Sequence, residues 1–143
     1  MARNKIVARL GLLTALLASQ MGCAGPLKYE VQSSEIARGA DAKIIAKVHE
    51  KQSQTHLEVE VVNLIPPERV SGTSQQYLGW YRTSPEAVWM RIGALEYDPG
   101  DRKGTLTGSV PESAFDFEIS AEGAGRPGSP SNHVIFAQRI ERK

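Results

Sequence analysis

Phe115-Asp116-Phe117-Glu118-Ile119-Ser120-Ala121-Glu122 is a run in which every odd-numbered residue is apolar and every even-numbered one polar. Successive side chains of a strand point to opposite faces, so the run predicts a strand with a buried face of Phe115, Phe117, Ile119 and Ala121 and a solvent face of Asp116, Glu118, Ser120 and Glu122. Just before it, Lys103 to Val110 predicts a strand, and Asp98-Pro99-Gly100-Asp101 predicts the turn leading into that strand, with Pro fixing φ and Gly free to take φ > 0. Two aromatic strands come earlier, Tyr77 to Arg82 and Val88 to Tyr97, separated by Thr83-Ser84-Pro85-Glu86. After the run, Gly123, Gly125, Pro127, Gly128 and Pro130 mark a loop before a closing strand from His133 to Ile140.

The same period of two extends back to Lys28. Ala42, Ile44, Ala46 and Val48 alternate with Lys43, Ile45, Lys47 and His49, and Leu57, Val59 and Val61 alternate with Glu58, Glu60 and Val62. Polar residues Glu50 to Thr55 form the expected hairpin loop between them. A helix over residues 35 to 52 is the rival, since Ile36, Ala37, Ala40, Ile44 and Val48 nearly share a helical face. Gly39 and the β-branched pair Ile44-Ile45 count against it. Pro66-Pro67 ends the third run, because neither residue can donate to a ladder. Seven or eight short strands with almost no helix predict an all-β fold, an immunoglobulin-like antiparallel β-sandwich.

The front of the chain is built differently. Met1 to Arg9 is basic, with Arg3, Lys5 and Arg9, and Leu10 to Ala18 is an uncharged apolar run. As a helix at about 1.5 Å per residue that run spans about half of a bilayer's hydrocarbon core. It fits the apolar segment of an export signal, residues 1–22. Ser19-Gln20-Met21-Gly22-Cys23-Ala24-Gly25 resembles the lipobox at which lipoprotein signal peptidase cleaves, with Cys23 as the lipid-attachment residue. Its thiol would accept diacylglycerol, and its freed amine would then be acylated. Gly22 fits the motif, whereas Gln20 stands where Leu is favoured and Met21 where a smaller residue is usual. The alternative is ordinary cleavage after Ala24, which would discard Cys23 and release a secreted protein. Under the lipoprotein reading, residues 23–27 are a short linker and residues 28–143 a single domain. Ala24 rather than Asp after the cysteine points to the outer membrane, facing the periplasm.

Composition limits what the domain can be. The 143 residues less the 22 of the signal leave one ordinary domain with one core. Of 17 Lys and Arg against 16 Asp and Glu, three bases lie in the signal, so the remainder is slightly acidic. Such a balance gives no field for phosphate backbones, and no nucleic-acid partner is expected. Arg139, Arg142 and Lys143 read as a short exposed tail interrupted by Glu141. With its one cysteine at the edge of the signal, the body can form no internal disulfide and must rely on core burial.

Residues 77 to 140 resemble the extracytoplasmic C-terminal domain of the anti-sigma-K factor family. The features shared are the aromatic strand Tyr77-Leu78-Gly79-Trp80, the Gly93-Ala94-Leu95 strand, the stretch Gly104-Thr105-Leu106, Pro111 followed by Phe115, and Ile119-Ser120-Ala121-Glu122 leading into a Gly/Pro/Ser loop through Pro130-Ser131. The resemblance covers about half of the chain and implies a sandwich fold and a role as an outer sensor or interaction module. In that family a transmembrane helix and a cytoplasmic sigma-binding domain come first. Here a signal of 22 residues precedes Cys23, so sigma binding does not carry over.

Candidate chemistry is sparse. His49 and His56 flank the first hairpin near Glu50 and Glu58, without the spacing of a zinc site, and read as solvated; His133 opens the last strand. No Ser lies in a Gly-x-Ser-x-Gly elbow. Asp116, Glu118 and Glu122 share one strand face and read as its solvated side rather than as a glycosidase pair flanking a cleft. The glycines at 123, 125 and 128 precede no helix and so form no phosphate cradle. Tyr77, Trp80, Tyr81 and Trp89 are the aromatic set, with Trp80 opposite in direction to Tyr77 and Tyr81 and read as a core residue. The expectation is a non-enzymatic interaction or accessory module, with no cofactor, a membrane contact through lipid and an unidentified protein partner. The alternative is a glycan- or peptidoglycan-binding module that uses exposed aromatics.

Overall fold

The computed structural model describes residues 24–143; the expected export signal, residues 1–22, and Cys23 lie outside the described residues. Nine strands form two antiparallel sheets. In chain order they are β1 (Leu27–Gln32), β2 (Asp41–His49), β3 (Gln54–Val62), β4 (Gln76–Arg82), β5 (Met90–Ala94), β6 (Glu96–Asp98), β7 (Lys103–Val110), β8 (Phe115–Glu122) and β9 (Val134–Ile140). A single helical turn, α1 (Pro67–Val70), joins β3 to β4 and starts on a proline, whose missing N–H is not needed there. One sheet runs β1-β2-β3-β7-β6 and the other β5-β4-β8-β9. The expected all-β antiparallel sandwich is the observed fold.

Its core lies between the sheets. Ala42, Ile44 and Ala46 of β2 and Leu57, Val59 and Val61 of β3 face Tyr77, Phe115, Phe117, Ile119, Phe136 and Ile140 of the other sheet. Burying each large side chain stabilises the fold by about 1.5–3 kcal/mol. The residues of β2 stay in strand, paired from Asp41 opposite Val62 to His49 opposite Gln54, and only Glu35–Ala37 of the rival helical stretch before them forms a 3-10 turn. The two sheets are in tight contact where Gly79 and Gly108 face inward. A Cβ on Gly79 would collide with Leu106, and one on Gly108 would sit 2.6 Å from Ile92.

Three details differ from the sequence reading. The predicted strand Val88–Tyr97 divides into β5 and β6, which raises the count from seven or eight to nine. Leu95 N–H still donates to Tyr77 O at 2.9 Å, but Glu96 pairs with Thr105, so the chain crosses from one sheet to the other while Leu95 plugs the open side. The fold also begins at Leu27, one residue into the expected linker, because Leu27 already pairs with Ala46. In the Asp98–Asp101 turn, Asp98 Oδ1 accepts from Gly100 N–H at 2.9 Å and the positive φ falls on Arg102 rather than on Gly100.

Candidate functional site

Pairing of Tyr77 with Ala121, both in the core, turns Gln76, Leu78, Trp80 and Arg82 of β4 and Asp116, Glu118, Ser120 and Glu122 of β8 to the outer face of the four-stranded sheet. The face divides into two unlike halves.

One half is closed. Trp80 is wholly buried, as is Leu78, although both point away from the inter-sheet core. Trp80 Nε1–H donates to Ser120 Oγ at 2.9 Å, and the Ser120 hydroxyl donates to Glu122 Oε1 at 2.6 Å. The same carboxylate oxygen accepts the backbone N–H of Ser131 at 2.6 Å. Gln76 Nε2 holds Gly123 O at 2.6 Å and Gly125 O at 3.1 Å. These bonds draw the 123–133 loop over the sheet. Glu122 is therefore only 6% exposed, which corrects its placement on the solvent face. The alternation put it on the right side of the strand, but the loop turns that side into a second interior.

The other half is open. Arg82 Nε–H donates to Asp116 Oδ2 at 3.1 Å and Arg139 Nη1–H to Asp116 Oδ1 at 3.2 Å, so both carboxylate oxygens are engaged. Arg82 also donates to Pro85 O at 3.0 Å and stacks on Trp89, 4.4 Å from the ring centroid. Arg139 reaches Thr83 O at 3.2 Å. It is thus a part-buried member of β9 and not part of an exposed tail. Arg142 is likewise held, by Gly25 O at 3.3 Å and Glu50 at 3.5 Å. Beside the Arg82–Asp116–Arg139 cluster lies Glu118, flanked in register by Trp80 and Ala137. Partial burial pushes its carboxyl above the usual glutamate range, with Arg82 opposing the shift and Asp116 adding to it. Among the described residues it has no ion-pair partner. An open groove of about 300 Å³ runs over Asp116, Glu118, Ala137 and Arg139. It offers unfilled carboxylate oxygens to a cationic or N–H-donating group beside arginines already held in place.

The other singled-out residues are dispersed. His49 lies opposite Gln54 and His56 opposite Lys47, so the two histidines do not face each other. His56 Nε2 is 3.6 Å from Glu58 Oε1, which Lys47 Nζ already holds at 2.8 Å; that hydrogen bond, more than the charge, lowers the Glu58 pKa. Among the described residues no three His, Cys, Asp or Glu gather at metal-binding distance. His133 Nδ1 is 3.4 Å from Ser131 Oγ, but Glu122 meets the backbone of Ser131 and not the imidazole, so no acid–histidine–serine relay forms there. Of the aromatics, Tyr77 is buried with its hydroxyl on Ile65 O, Tyr81 packs edge-on against Phe115, and Trp89 is half-buried under Arg82. Burial pushes the Tyr77 hydroxyl pKa well above its ordinary value.

Arg82 and Arg139 escaped the sequence reading because they reach Asp116 only through the β4–β8 and β8–β9 pairings, which alternation within one strand does not specify. Compared with family models, with curated proteins and with solved structures, the chain finds no match.

Proposed function

We propose that this chain is an exported, lipid-anchored β-sandwich of the cell envelope that acts as a non-enzymatic interaction module. Its partner face is the groove over Asp116, Glu118 and Arg139. The observation that carries this reading is Glu118, a partly desolvated carboxylate left without a partner beside two arginines whose positions Asp116 fixes. A carboxylate in that setting gains most from a donor supplied by another molecule. The partner chemistry that fits is a lysine, arginine or backbone N–H of a second protein. The resemblance of residues 77 to 140 to an outer sensor domain supports the same class of role, and the signal with Cys23 supports the address.

A photo-crosslinking side chain at Ala137, in the anchored protein, tests the groove against the same probe at Thr107 on the other sheet. A discrete adduct from position 137, absent from 107 and lost with Glu118→Lys, is the expected result. Equal patterns from the two sites would refute the groove as the partner face. For the anchor, metabolic labelling with a fatty-acid analogue is expected in the wild type and not in Cys23→Ser; equal labelling of both would overturn it.

A further inference from the structure

Four large apolar side chains are exposed among the described residues: Val88 at 77%, Met90 at 50%, Ile36 at 40% and Val62 at 38%. The two most exposed flank Trp89, where the β4–β5 loop enters β5. The fold places that loop at one particular end of the sandwich. Arg82, the last residue of β4, pairs with Asp116 at the start of β8, and Phe115 pairs with Ile140 at the end of β9. Directly beyond Ile140, Glu141 N–H donates to Tyr29 Oη of β1 at 3.3 Å, and Arg142 holds Gly25 O. The point where the chain enters the fold and the Val88-Trp89-Met90 segment therefore share an end. Ile36 and Val62 lie at the opposite one, beside Asp41.

Only Ala24, Gly25 and Pro26 separate Cys23 from Leu27. Four Cα steps reach about 14 Å at full extension. Three strand spacings, about 14 Å, separate β9 from β5 across the sheet. A lipid on Cys23 would therefore hold this end of the domain against the bilayer, within reach of the apolar segment.

We infer that Val88, Trp89 and Met90 form a membrane-contact surface, entering the headgroup–acyl boundary of the bilayer in which the lipid is anchored. This rests on the lipid-anchor reading and adds the orientation of the domain to it. A tryptophan flanked by two apolar side chains suits that boundary, where the ring buries its body and its N–H stays wet. Arg82, stacked on the indole and bonded to Pro85 O and Asp116, holds the loop in shape before contact. At this end Lys51, Arg142 and Lys143 are offset by Glu50, Glu86 and Glu141, and Arg82 and Arg139 are both held by Asp116, so the contact is apolar rather than electrostatic. The groove over Asp116 and Glu118 then faces sideways just above the membrane surface.

The test uses the acylated mature protein reconstituted in phosphatidylethanolamine–phosphatidylglycerol vesicles whose acyl chains carry bromine, a contact quencher of indole emission. Emission is expected to fall relative to unbrominated vesicles, to fall equally at low and high salt, and to regain its unbrominated level in the Val88→Asp/Met90→Asp variant. Trp89→Phe leaves Trp80 as the remaining tryptophan, buried beside Ser120, and its unquenched emission reports that the fold is intact. Val62→Asp at the far end should leave quenching unchanged. Fatty-acid labelling of the same preparation separates the two readings. A labelled protein with unquenched Trp89 keeps its anchor and refutes the contact, whereas an unlabelled protein refutes both.

Discussion

The outer faces of the two sheets start from the same sequence pattern and end in different physical states. On the five-stranded sheet, Lys47 pairs with Glu58 at 2.8 Å and Lys103 with Glu60 at 3.0 Å, and these side chains remain about half exposed. On the four-stranded sheet, the polar positions of β8 are divided between a closed network at Ser120 and Glu122 and a charged groove at Asp116 and Glu118. Alternation determines which side of a strand a residue occupies. Whether that side meets water depends on how the adjoining β8–β9 loop, residues 123–133, folds back and on which strands become neighbours.

The sharpest way to break the comparison is to remove what fills the closed half. Trp80→Ala is expected to destabilise the fold by about 3–5 kcal/mol, the range for truncating a buried large aromatic, and to strip Ser120 of its donor. Urea unfolding monitored by circular dichroism measures this. A loss below about 1 kcal/mol would mean that the loop does not seal the face. Next in size is a matched pair of glutamates at outward positions. Glu122→Ala leaves the Ser131 N–H and the Ser120 hydroxyl without their acceptor and is expected to lower stability by about 1–3 kcal/mol. Glu60→Ala removes only an exposed pair with Lys103, for at most about 1 kcal/mol. Equal losses would show that the two faces do not differ.

Asp116→Asn tests the open half. It keeps the size of the side chain but removes the charge that holds two part-buried arginines 3.1 and 3.2 Å away. A loss of about 1 kcal/mol is expected, with a weakened Arg82–Trp89 stack visible as a change in tryptophan emission. An unchanged emission spectrum would detach the loop's order from the cluster.

The sandwich was legible in the sequence because its strands are half buried and short, and the run at 115–122 assigns its inward set without error: Phe115, Phe117, Ile119 and Ala121 are all in the core. The 103–110 strand is also found at its expected bounds. What was not legible depends on non-local pairing. Trp80 read as a core residue and is fully buried, yet on the outer side of its sheet, bonded to Ser120 rather than packed between the sheets. The 88–97 run read as one strand, since nothing local marks Leu95 as the point where the chain changes sheets. Of the candidate groove, Asp116 and Glu118 were visible as outward carboxylates, but the two arginines that define it come from strands 34 and 23 residues away from Asp116.

The smallest expected effect has the opposite sign. Glu118 has its pKa raised above the ordinary 4.5, first by desolvation and then by Asp116, against the pull of Arg82. The folded state therefore binds its proton more tightly than the unfolded chain does. It follows that stability falls as pH rises from the ordinary glutamate value through the raised one, because the native state alone still holds the proton in that window. Glu118→Gln removes this slope and is expected to be more stable than wild type at neutral pH by up to about 0.5 kcal/mol, a size suited to a partly buried side chain that still meets solvent in the open groove. Urea midpoints measured from pH 4 to 8 for both proteins give the comparison. A variant less stable than wild type at neutral pH, with the slope retained, would mean that Glu118 is satisfied as an anion within the fold and holds no acceptor in reserve for a partner.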